Sequence, residues 1–241
     1  MTGRLQDRLA VITGASRGIG RAVALGMAAE GAHVILIART VGGLEEVDDE
    51  IRKVGGKATL VPMDLTDFAA IDRLGATIFE RWGKLDILVA NAGLLGTLTP
   101  LSHMDPKDWD KTLAVNVTAN YRLIRSLEPL LKRSDAGRAV FVTSGAAHKC
   151  KPYWGGYSVT KAALDAMMKT WAAECEKTSI RVNSVSPGPT RTAMRKKAMP
   201  GEDPSTLTKP ADLVPLFIDL ALPSNERHGE IVEYQKAQAK A

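Results

Sequence analysis

A short apolar segment that runs into a glycine-rich turn constrains the fold of this chain more than any other feature. Residues 9–13 are predicted to form a buried strand, TGASRGIG follows at 13–20, and an amphipathic helical pattern continues to residue 29. Gly14, Gly18 and Gly20 carry no Cβ, so backbone N–H groups and the positive end of the helix can approach a phosphate closely. A glycine pattern placed between a strand and a helix predicts a dinucleotide site.

Strand and helix patterns alternate along the rest of the chain. Strands are predicted at 33–38, 58–63, 85–90, 139–144, 180–185 and 230–233. Helices are predicted at 42–54, from about 67 to 82, at 107–133, from about 156 to 176 and at 210–221. This alternation predicts an α/β fold with a doubly wound parallel sheet. With 241 residues and no linker, the chain is expected to form a single domain over 1–241.

The second predicted strand ends where the adenosine ribose of a dinucleotide would lie. An acidic residue about 20 positions after the glycine turn would bind a free 2′-hydroxyl, but the chain has Ala38, Arg39 and Thr40 there. Arg39 favours a 2′-phosphate, and Arg17 in the turn supplies a second guanidinium for the same group. Each arginine alone could be a solvated surface residue. The pair, without a carboxylate, predicts NADP(H) in preference to NAD(H).

Ser144, Tyr157 and Lys161 form a pattern that suits proton transfer. Ser144 is predicted at a strand end, and Tyr157 and Lys161 share one face of the next helix. Tyrosine has a pKa of roughly 10, and a neighbouring ammonium lowers that pKa because it favours the phenolate. The serine hydroxyl could hydrogen-bond a carbonyl or alcohol oxygen while the tyrosine transfers its proton. Because a tyrosine and a lysine at this spacing also occur as a solvated pair, the other motifs must decide.

Three further positions each have two interpretations. Asp64 could accept a hydrogen bond from an adenine amino group or could cap the helix that follows it. Asn91, Ala92 and Gly93 end a strand, where small residues either let a cofactor approach the backbone or form a plain tight turn. Asn116 interrupts a helical pattern, so it is expected to cap a kink or to support a bound water.

The composition excludes several classes of site. Two cysteines are too few for a disulfide framework and the four histidines are scattered, so neither disulfides nor a metal site is expected. The net charge of +5 comes without a long basic block, so nucleic-acid binding is not expected. No apolar run reaches the ~18 residues of a membrane helix, and the N-terminus lacks the apolar core of a signal peptide. We therefore expect a cytoplasmic protein that does not bind membranes.

Residues 186–210 are rich in proline, glycine and charge, which predicts a mobile substrate lid over about 189–209. Three lid residues, Arg195, Lys196 and Lys197, could attract an anionic group, although a solvated lid face is the preferred interpretation of this basic triplet. A mainly apolar substrate pocket is expected by position. Its predicted lining residues are Leu94, Leu95, Ala146, His148, Trp154, Met194 and Met199.

The chain resembles the short-chain dehydrogenase/reductase family over nearly its whole length. The resemblance rests on six motifs: TGASRGIG at 13–20, NAG at 91–93, Asn116, Ser144, YSVTK at 157–161 and PGPTRT at 187–192. It implies a Rossmann fold with a seven-stranded, mainly parallel sheet in the order 3-2-1-4-5-6-7 and helices on both faces. It also implies hydride transfer between a nicotinamide and a carbonyl or alcohol substrate. Residues 202–222 are similar to a bacterial subgroup described only as oxidoreductases.

The resemblance also implies roles for individual residues. Tyr157 is the implied acid/base and Ser144 polarises the substrate oxygen. Lys161 lowers the tyrosine pKa and holds the nicotinamide ribose, while Asn116 supports a water in the proton path. The implied cofactor-binding residues are Gly14, Ser16, Arg17, Gly18, Ile19, Gly20, Arg39, Asp64, Leu65, Asn91, Ala92, Gly93, Tyr157, Lys161, Pro187, Gly188, Thr190 and Thr192.

The resemblance implies a small-molecule carbonyl or alcohol as the substrate. It also implies that the chain assembles with further copies of itself into a homodimer or homotetramer. Many family members end in a strand followed by two glycines, whereas this chain has the single Gly229 and a polar end, a departure that affects the usual tetramer contact. The alternative to an enzyme is a non-catalytic dinucleotide sensor or scaffold with the same fold. Such a protein would have little reason to keep all four residue types of the implied catalytic set.

Overall fold

The computed structural model describes residues 3–234, which fold around one sheet of seven strands. The strands are β1 (Leu9–Thr13), β2 (His33–Ala38), β3 (Lys57–Pro62), β4 (Ile87–Ala90), β5 (Arg138–Val142), β6 (Arg181–Ser186) and β7 (Ile231–Glu233). Their order across the sheet is β3-β2-β1-β4-β5-β6-β7, and every neighbouring pair is parallel. The predicted doubly wound sheet and its strand order are confirmed.

Helices cover both faces of this sheet. They are α1 (Gly18–Ala29), α2 (Val41–Lys53), α3 (Phe68–Trp82), α4 (Pro106–Leu113), α5 (Ala119–Leu131), α6 (Ala146–Lys149), α7 (Gly155–Cys175), α8 (Ala193–Ala198) and α9 (Val214–Ala221). None of the helices within residues 3–234 combines the length and the apolar character that a bilayer crossing requires. Within the same range, no three His, Cys, Asp or Glu side chains are grouped closely enough to hold a metal ion.

Side chains on the two faces of the sheet form two separate cores. In β1, Ala10 and Ile12 pack with α1, α2 and α9 on one face, whereas Leu9 and Val11 pack with α3, α5 and α7 on the other. Because both faces are covered, the strands are continuous apolar runs in the sequence instead of alternating ones. Full burial of one aliphatic side chain contributes about 1.5–3 kcal/mol, so the two cores fix the strand ends that carry the candidate site.

A buried ionic network lies at the opposite edge of the sheet, where β1 and β4 begin. The Asp86 carboxylate is fully buried and accepts hydrogen bonds from Arg8 Nη1 at 2.9 Å and Ser134 Oγ at 2.6 Å. It also accepts a bond from the Leu9 backbone N–H at 3.0 Å, and Lys84 Nζ lies 2.9 Å away. The network ties the start of β1 to the start of β4 and to the end of the chain segment that precedes β5.

The long helix predicted at 107–133 contains a break. α4 ends at Leu113, a π-helical turn spans Ala114–Thr118, and α5 begins at Ala119. The N–H of Ala119 binds the carbonyl of Ala114, five residues back, instead of the α-helical partner four residues back. The turn therefore inserts one residue into the helix at Asn116, in agreement with the kink that this asparagine predicts. π-turns are rare, and they occur frequently at functional sites.

Other differences from the predicted elements lie near the carboxyl edge of the sheet. β5 ends at Val142, two residues earlier than predicted, and the short helix α6 follows Ser144, where no helix was predicted. The predicted lid contains α8 and a 3₁₀ turn at Pro204–Thr206. The last helix begins as a 3₁₀ turn at Pro210–Leu213 and continues as α9. The polar end of the chain, residues 235–241, lies outside the described residues.

Candidate active site

The predicted motifs meet at one edge of the sheet, because the carboxyl ends of parallel strands lie side by side. The glycine turn follows β1, Asn91 follows β4, Ser144 follows β5 and Pro187 follows β6. The strand order reverses between β1 and β4, and ligands of doubly wound sheets bind in the crevice at that point. The site therefore occupies the position that the fold favours for a dinucleotide.

The glycine turn has a shape that other residues cannot adopt. Gly14 and Gly18 have φ angles of 67° and 59°, in the left-handed region that favours glycine. At Gly20, an added Cβ would lie 2.4 Å from the carbonyl oxygen of Gly14, well inside contact distance. The turn thus brings its backbone close to the N-terminus of α1 without side chains in between. Such a cradle fits a pyrophosphate.

Asn91 holds this turn from β4. Its Nδ2 donates to the carbonyl of Thr13 at 2.9 Å and to that of Gly14 at 3.3 Å. In return, the Thr13 hydroxyl accepts the N–H groups of Asn91 and Ala92 at 3.1 and 3.0 Å. These bonds join the ends of β1 and β4 across the reversal point. Sequence analysis missed Thr13, whose only signal is a hydroxyl at the end of an otherwise apolar strand.

Arg17 and Arg39 are both exposed, one beside the glycine turn and the other after β2. Within residues 3–234 neither guanidinium forms an ion pair or a side-chain hydrogen bond with the protein. Ser16, which precedes Arg17, lies near the start of α2, because an added Cβ on Gly43 would approach the Ser16 Cβ to 3.1 Å. The structure therefore presents two guanidinium groups with free donors near the position expected for the ribose 2′-substituent.

Asp67, and not Asp64, caps the helix that follows. Asp67 caps α3, because its side chain accepts the Ala70 N–H at 2.9 Å. Asp64 instead accepts the N–H and the hydroxyl of Thr66 at 2.9 and 2.8 Å through a single oxygen, Oδ1. The backbone hydrogen bond from Thr66, with help from nearby Arg39, holds the pKa of Asp64 below its usual value. The helix-cap interpretation of Asp64 is wrong, and its second carboxylate oxygen is free to accept a hydrogen bond.

Ser144, Tyr157 and Lys161 lie together in the crevice. The Ser144 hydroxyl is in hydrogen-bond contact with the Tyr157 hydroxyl, and both Tyr157 and Lys161 are buried on α7. Lys161 Nζ donates to the backbone carbonyl of Val142 at 2.7 Å and lies 5.7 Å from the centre of the Tyr157 ring. The early end of β5 explains this geometry, since it exposes the Val142 carbonyl to the lysine.

Burial dominates the electrostatics of this pair. It raises the pKa of Tyr157 to about 12, although the hydrogen bond from Ser144 acts in the opposite direction. It also lowers the pKa of Lys161 to about 8, a shift that the nearby Asp165 opposes. The sequence predicts a lowered tyrosine pKa, but the ammonium donates to Val142 and not to the phenol. The phenol consequently keeps its proton near neutral pH, as a proton donor requires.

Asn116, in the π-turn, connects two other parts of the site. Its Oδ1 accepts the Leu94 N–H at 2.7 Å, and its Nδ2 donates to the Leu94 carbonyl at 2.8 Å. The same Nδ2 donates to the Thr160 hydroxyl at 3.0 Å. A Cβ on Gly93 would lie 3.3 Å from Asn116 Oδ1 and 3.7 Å from Lys161 Nζ, so this glycine keeps the centre of the site open.

The segment after β6 closes the site from one side. The Thr190 hydroxyl lies 3.3 Å from the carbonyls of both Pro187 and Gly188, and Gly188 has a φ of 66°. Thr192 caps α8 by accepting the Arg195 N–H at 3.2 Å. An added Cβ on Gly18 would lie 3.4 Å from Thr192 Cγ2, so the start of the lid touches the glycine turn.

The lid is braced by its own residues. Thr190 and Thr208 form a short parallel bridge at its base. Arg195 donates twice to Glu202, at 2.5 Å each, which occupies one member of the predicted basic triplet. Lys196 and Lys197 are exposed. The exposure of the two lysines agrees with the interpretation of the triplet as a solvated lid face. Arg195 differs from them because it is paired with Glu202 within the lid.

The predicted pocket residues differ in their placement. Leu95 is buried, Trp154 lies edge to face with Tyr157 at 6.1 Å between ring centres, and Met194 and Met199 are exposed on the lid. His148 points its Nε2 toward Asp165 at 3.2 Å. Leu101 and Met104 pack against the start of α7, where an added Cβ on Gly155 or Gly156 would meet them.

Comparisons with known proteins agree with this site. A family model for short chain dehydrogenase matches residues 8–203, a range that includes every motif from Gly14 to Thr192. The uncharacterized oxidoreductase YciK of Escherichia coli K12 is 40% identical over 217 residues, which are 89% of this chain and 86% of that protein.

Two solved structures that contain a nicotinamide cofactor are also similar. A protein of Shigella flexneri 2a strain 301 complexed with NADP is 37% identical, with a TM-score of 0.92 over 97% of this chain and 99% of the other. A protein of Escherichia coli CFT073 complexed with NADPH is 38% identical, with a TM-score of 0.92 over 98% of this chain and 100% of the other.

Proposed function

The chain belongs to the short-chain dehydrogenase family of oxidoreductases, and from that premise we propose that it is an NADP(H)-dependent enzyme which interconverts a carbonyl and an alcohol, with Tyr157 as its acid/base group. The observation that carries this proposal is the contact between the hydroxyls of Ser144 and Tyr157, with Lys161 buried one helical turn away. The hydroxyl of Ser144, the phenol of Tyr157 and the amine of Lys161 therefore lie together at the carboxyl edge of the sheet.

In the reductive direction, the carbonyl carbon gains a hydride and the carbonyl oxygen gains a proton. Ser144 hydrogen-bonds that oxygen and stabilises the negative charge that develops on it. Tyr157 donates its phenolic proton to the same oxygen, because burial keeps the phenol protonated near neutral pH. The Lys161 ammonium stabilises the phenolate that remains until a proton from solvent restores the phenol. In the oxidative direction the same steps run in reverse.

The residues around the crevice fit a dinucleotide. The glycine turn, Asn91 to Gly93, Asp64 with Leu65, and Pro187 to Thr192 would hold it, and Lys161 would hold its ribose. When bound, NADPH supplies the hydride or NADP⁺ accepts it. The chain's own contribution is to fix both reactants against Ser144 and Tyr157, which converts a two-body encounter into a step within one complex.

The preference for NADP(H) is supported by Arg17 and Arg39. Both guanidinium groups have free donors, and guanidinium pairs well with phosphate oxygens. The last residues of β2 include no carboxylate that would select a free 2′-hydroxyl. Similar proteins from Shigella flexneri and Escherichia coli were solved with NADP and NADPH, which supports the same assignment for this chain.

We expect the enzyme to work as a homodimer or homotetramer. Val159 on α7 and Tyr121 on α5 are large apolar side chains exposed on helices that a Trp171–Glu128 hydrogen bond holds together. Two such helices from each protomer would bury these side chains in a dimer. Size-exclusion chromatography with light scattering distinguishes this assembly from a monomer.

The proposed function is tested with purified protein, NADPH and a panel of ketones and aldehydes, by following the loss of NADPH absorbance. Turnover is expected for the wild type, and Tyr157→Phe is expected to lose about 10²–10⁴-fold in kcat because it has no proton to donate. NADPH binding by Tyr157→Phe should remain close to that of the wild type. A wild-type protein that binds NADPH but reduces no carbonyl would instead support the sensor or scaffold alternative.

A further inference from the structure

Asp165 is a buried carboxylate that the proposed proton transfer does not use. It lies on α7, two turns after Tyr157 and one turn after Lys161, and its side chain is only 6% exposed. Neither carboxylate oxygen has a hydrogen-bond partner within residues 3–234. Burial of an ionised carboxylate without compensation costs several kcal/mol, so a neighbouring cation would stabilise this side chain.

One titratable side chain contacts this carboxylate, and a second lies one helical turn away. His148 Nε2, from α6, lies 3.2 Å from Asp165 Oδ2, while the histidine side chain is itself 63% exposed. Lys161, on α7, is one helical turn away, at a spacing that makes side chains neighbours on the same helix. His148 thus covers the carboxylate from the surface side, and Lys161 is a buried basic residue one turn away whose Nζ contacts the Val142 carbonyl and not the carboxylate.

The Lys161 ammonium has no other charged neighbour that favours it. Burial lowers the pKa of Lys161, and the charge that opposes this shift is that of Asp165. β5 contributes the neutral carbonyl of Val142, and the turn after β4 contributes Gly93, which is also neutral. The other charged residue near Asp165 on its own helix is Lys169, one turn further along and exposed. Burial alone would drive Lys161 toward its neutral amine.

We propose that Asp165 is a positioning residue whose buried charge keeps the Lys161 side chain in its ammonium form. This inference rests on the proposed function, in which Lys161 must be a cation to stabilise the Tyr157 phenolate. Asp165 does not touch substrate or cofactor in this scheme and acts only through the lysine. A buried negative charge one helical turn from a buried lysine favours the charged form of that lysine.

The first test is a direct titration of Lys161 by NMR on protein labelled with ¹³C at the lysine side chains. The resonance of Lys161 is assigned by its loss in Lys161→Arg. In Asp165→Asn the titration midpoint of Lys161 is expected to fall by about one to two pH units, the effect of removing a unit charge at this spacing in a partly screened interior. An unchanged midpoint overturns the proposal.

Matched variants separate charge from packing. Glu174→Gln removes one negative charge from an exposed position on the same helix and should leave the Lys161 midpoint unchanged. Asp165→Glu keeps the charge and should retain most of the wild-type midpoint, whereas Asp165→Ser, a second neutral variant, should lower it as Asp165→Asn does. A midpoint that falls equally in Asp165→Glu would assign the effect to altered packing and would overturn the proposal.

Activity supplies a second readout. The alkaline limb of the kcat/KM profile for NADPH-dependent reduction should move to lower pH in Asp165→Asn, because Lys161 then loses its proton earlier. A wild type without turnover would refute the proposed function while the NMR titration still decided the role of Asp165. Conversely, normal turnover together with an unshifted Lys161 midpoint in Asp165→Asn would refute only the role of Asp165.

Discussion

The side-chain amide of Asn116 donates to the hydroxyl of Thr160 at 3.0 Å, and that hydroxyl in turn donates to the backbone carbonyl of Tyr157 at 2.8 Å. The π-turn is thereby joined to the first turns of α7, the helix that carries the candidate acid/base. The same asparagine holds both backbone polar groups of Leu94. One side chain thus sets the relative positions of the segment after β4 and the start of α7.

We predict that Asn116→Ala destabilises the protein by about 2–3 kcal/mol, because it leaves the partly buried N–H and C=O groups of Leu94 without partners. Activity should also fall, since the start of α7 loses its link to the π-turn. Urea unfolding measures the first effect and steady-state NADPH oxidation the second. Asn120→Ala is the matched control, because Asn120 makes a single bond, to the Asn116 carbonyl. Equal destabilisation in both variants would contradict the prediction.

Arg39→Asp should reverse the cofactor preference. Loss of a charge-assisted hydrogen bond to phosphate, worth about 1.5–3 kcal/mol, lowers NADPH affinity roughly 10–100-fold, while the new carboxylate can accept the free 2′-hydroxyl of NADH. Titration of both cofactors against protein fluorescence gives the two dissociation constants. Lys53→Asp makes the same change of charge at the far end of α2 and should preserve the preference. A retained NADPH preference in Arg39→Asp would show that the arginine does not contact the phosphate.

Gly20→Ala should abolish cofactor binding and destabilise the fold. The new methyl group would lie 2.4 Å from the Gly14 carbonyl and 2.5 Å from Asn91 Nδ2, so the turn and the end of β4 must separate. Overpacking of this kind costs about 1–3 kcal/mol. The control is Gly42→Ala in α2, where no atom lies within 4 Å of the added methyl group. That variant should be neutral or stabilised by up to about 1 kcal/mol, which thermal unfolding can measure.

Asp86→Asn should remove a pH-dependent part of the stability. Burial opposes ionisation of Asp86, but hydrogen bonds from Ser134, the Leu9 N–H, Lys84 and Arg8 hold its pKa below the usual value. The pKa of Asp86 is therefore lower in the folded chain than in the unfolded one, where it is about 3.9. The resulting stabilisation is present above that value and is lost as the pH falls through the folded pKa.

Near neutral pH we expect Asp86→Asn to lower the free energy of unfolding by about 3 kcal/mol or more, since it leaves Arg8 and Lys84 without their buried partner. The difference from wild type should shrink as the pH falls below about 4. Asp135→Asn removes the exposed partner of the same arginine and should cost at most about 1 kcal/mol. A difference between wild type and Asp86→Asn that stayed constant across this pH range would contradict the prediction.

The sheet and the local motifs could be predicted because their signals lie in short stretches of sequence. β1 is buried on both faces, so its residues Leu9 to Ile12 form an uninterrupted apolar run. The glycine turn follows it directly, and Tyr157 and Lys161 are one helical turn apart on α7. In each case the relevant partners are neighbours along the chain, so periodicity and spacing are sufficient.

The remaining features depend on contacts between distant residues. The bonds from Asn91 to Thr13 join segments 78 residues apart, and those from Asn116 to Thr160 join segments 44 residues apart. Asp165 has the sequence context of an ordinary helical aspartate, and only the packing of α6 shows that it is buried. The raised pKa of Tyr157 likewise follows from burial, which the tyrosine–lysine spacing does not show.

The bridge between Thr190 and Thr208 makes the lid a closed module. Arg191 N donates to the Thr208 carbonyl at 2.8 Å and Thr208 N donates to the Pro189 carbonyl, so the two ends of the excursion are held side by side. A loop with fixed ends can change its length and composition without altering the distance that its neighbours must span. Replacement of residues 191–207 by the corresponding segment of a relative should therefore transfer the relative's substrate preference in one step. The residues proposed for hydride and proton transfer would remain unchanged beneath it.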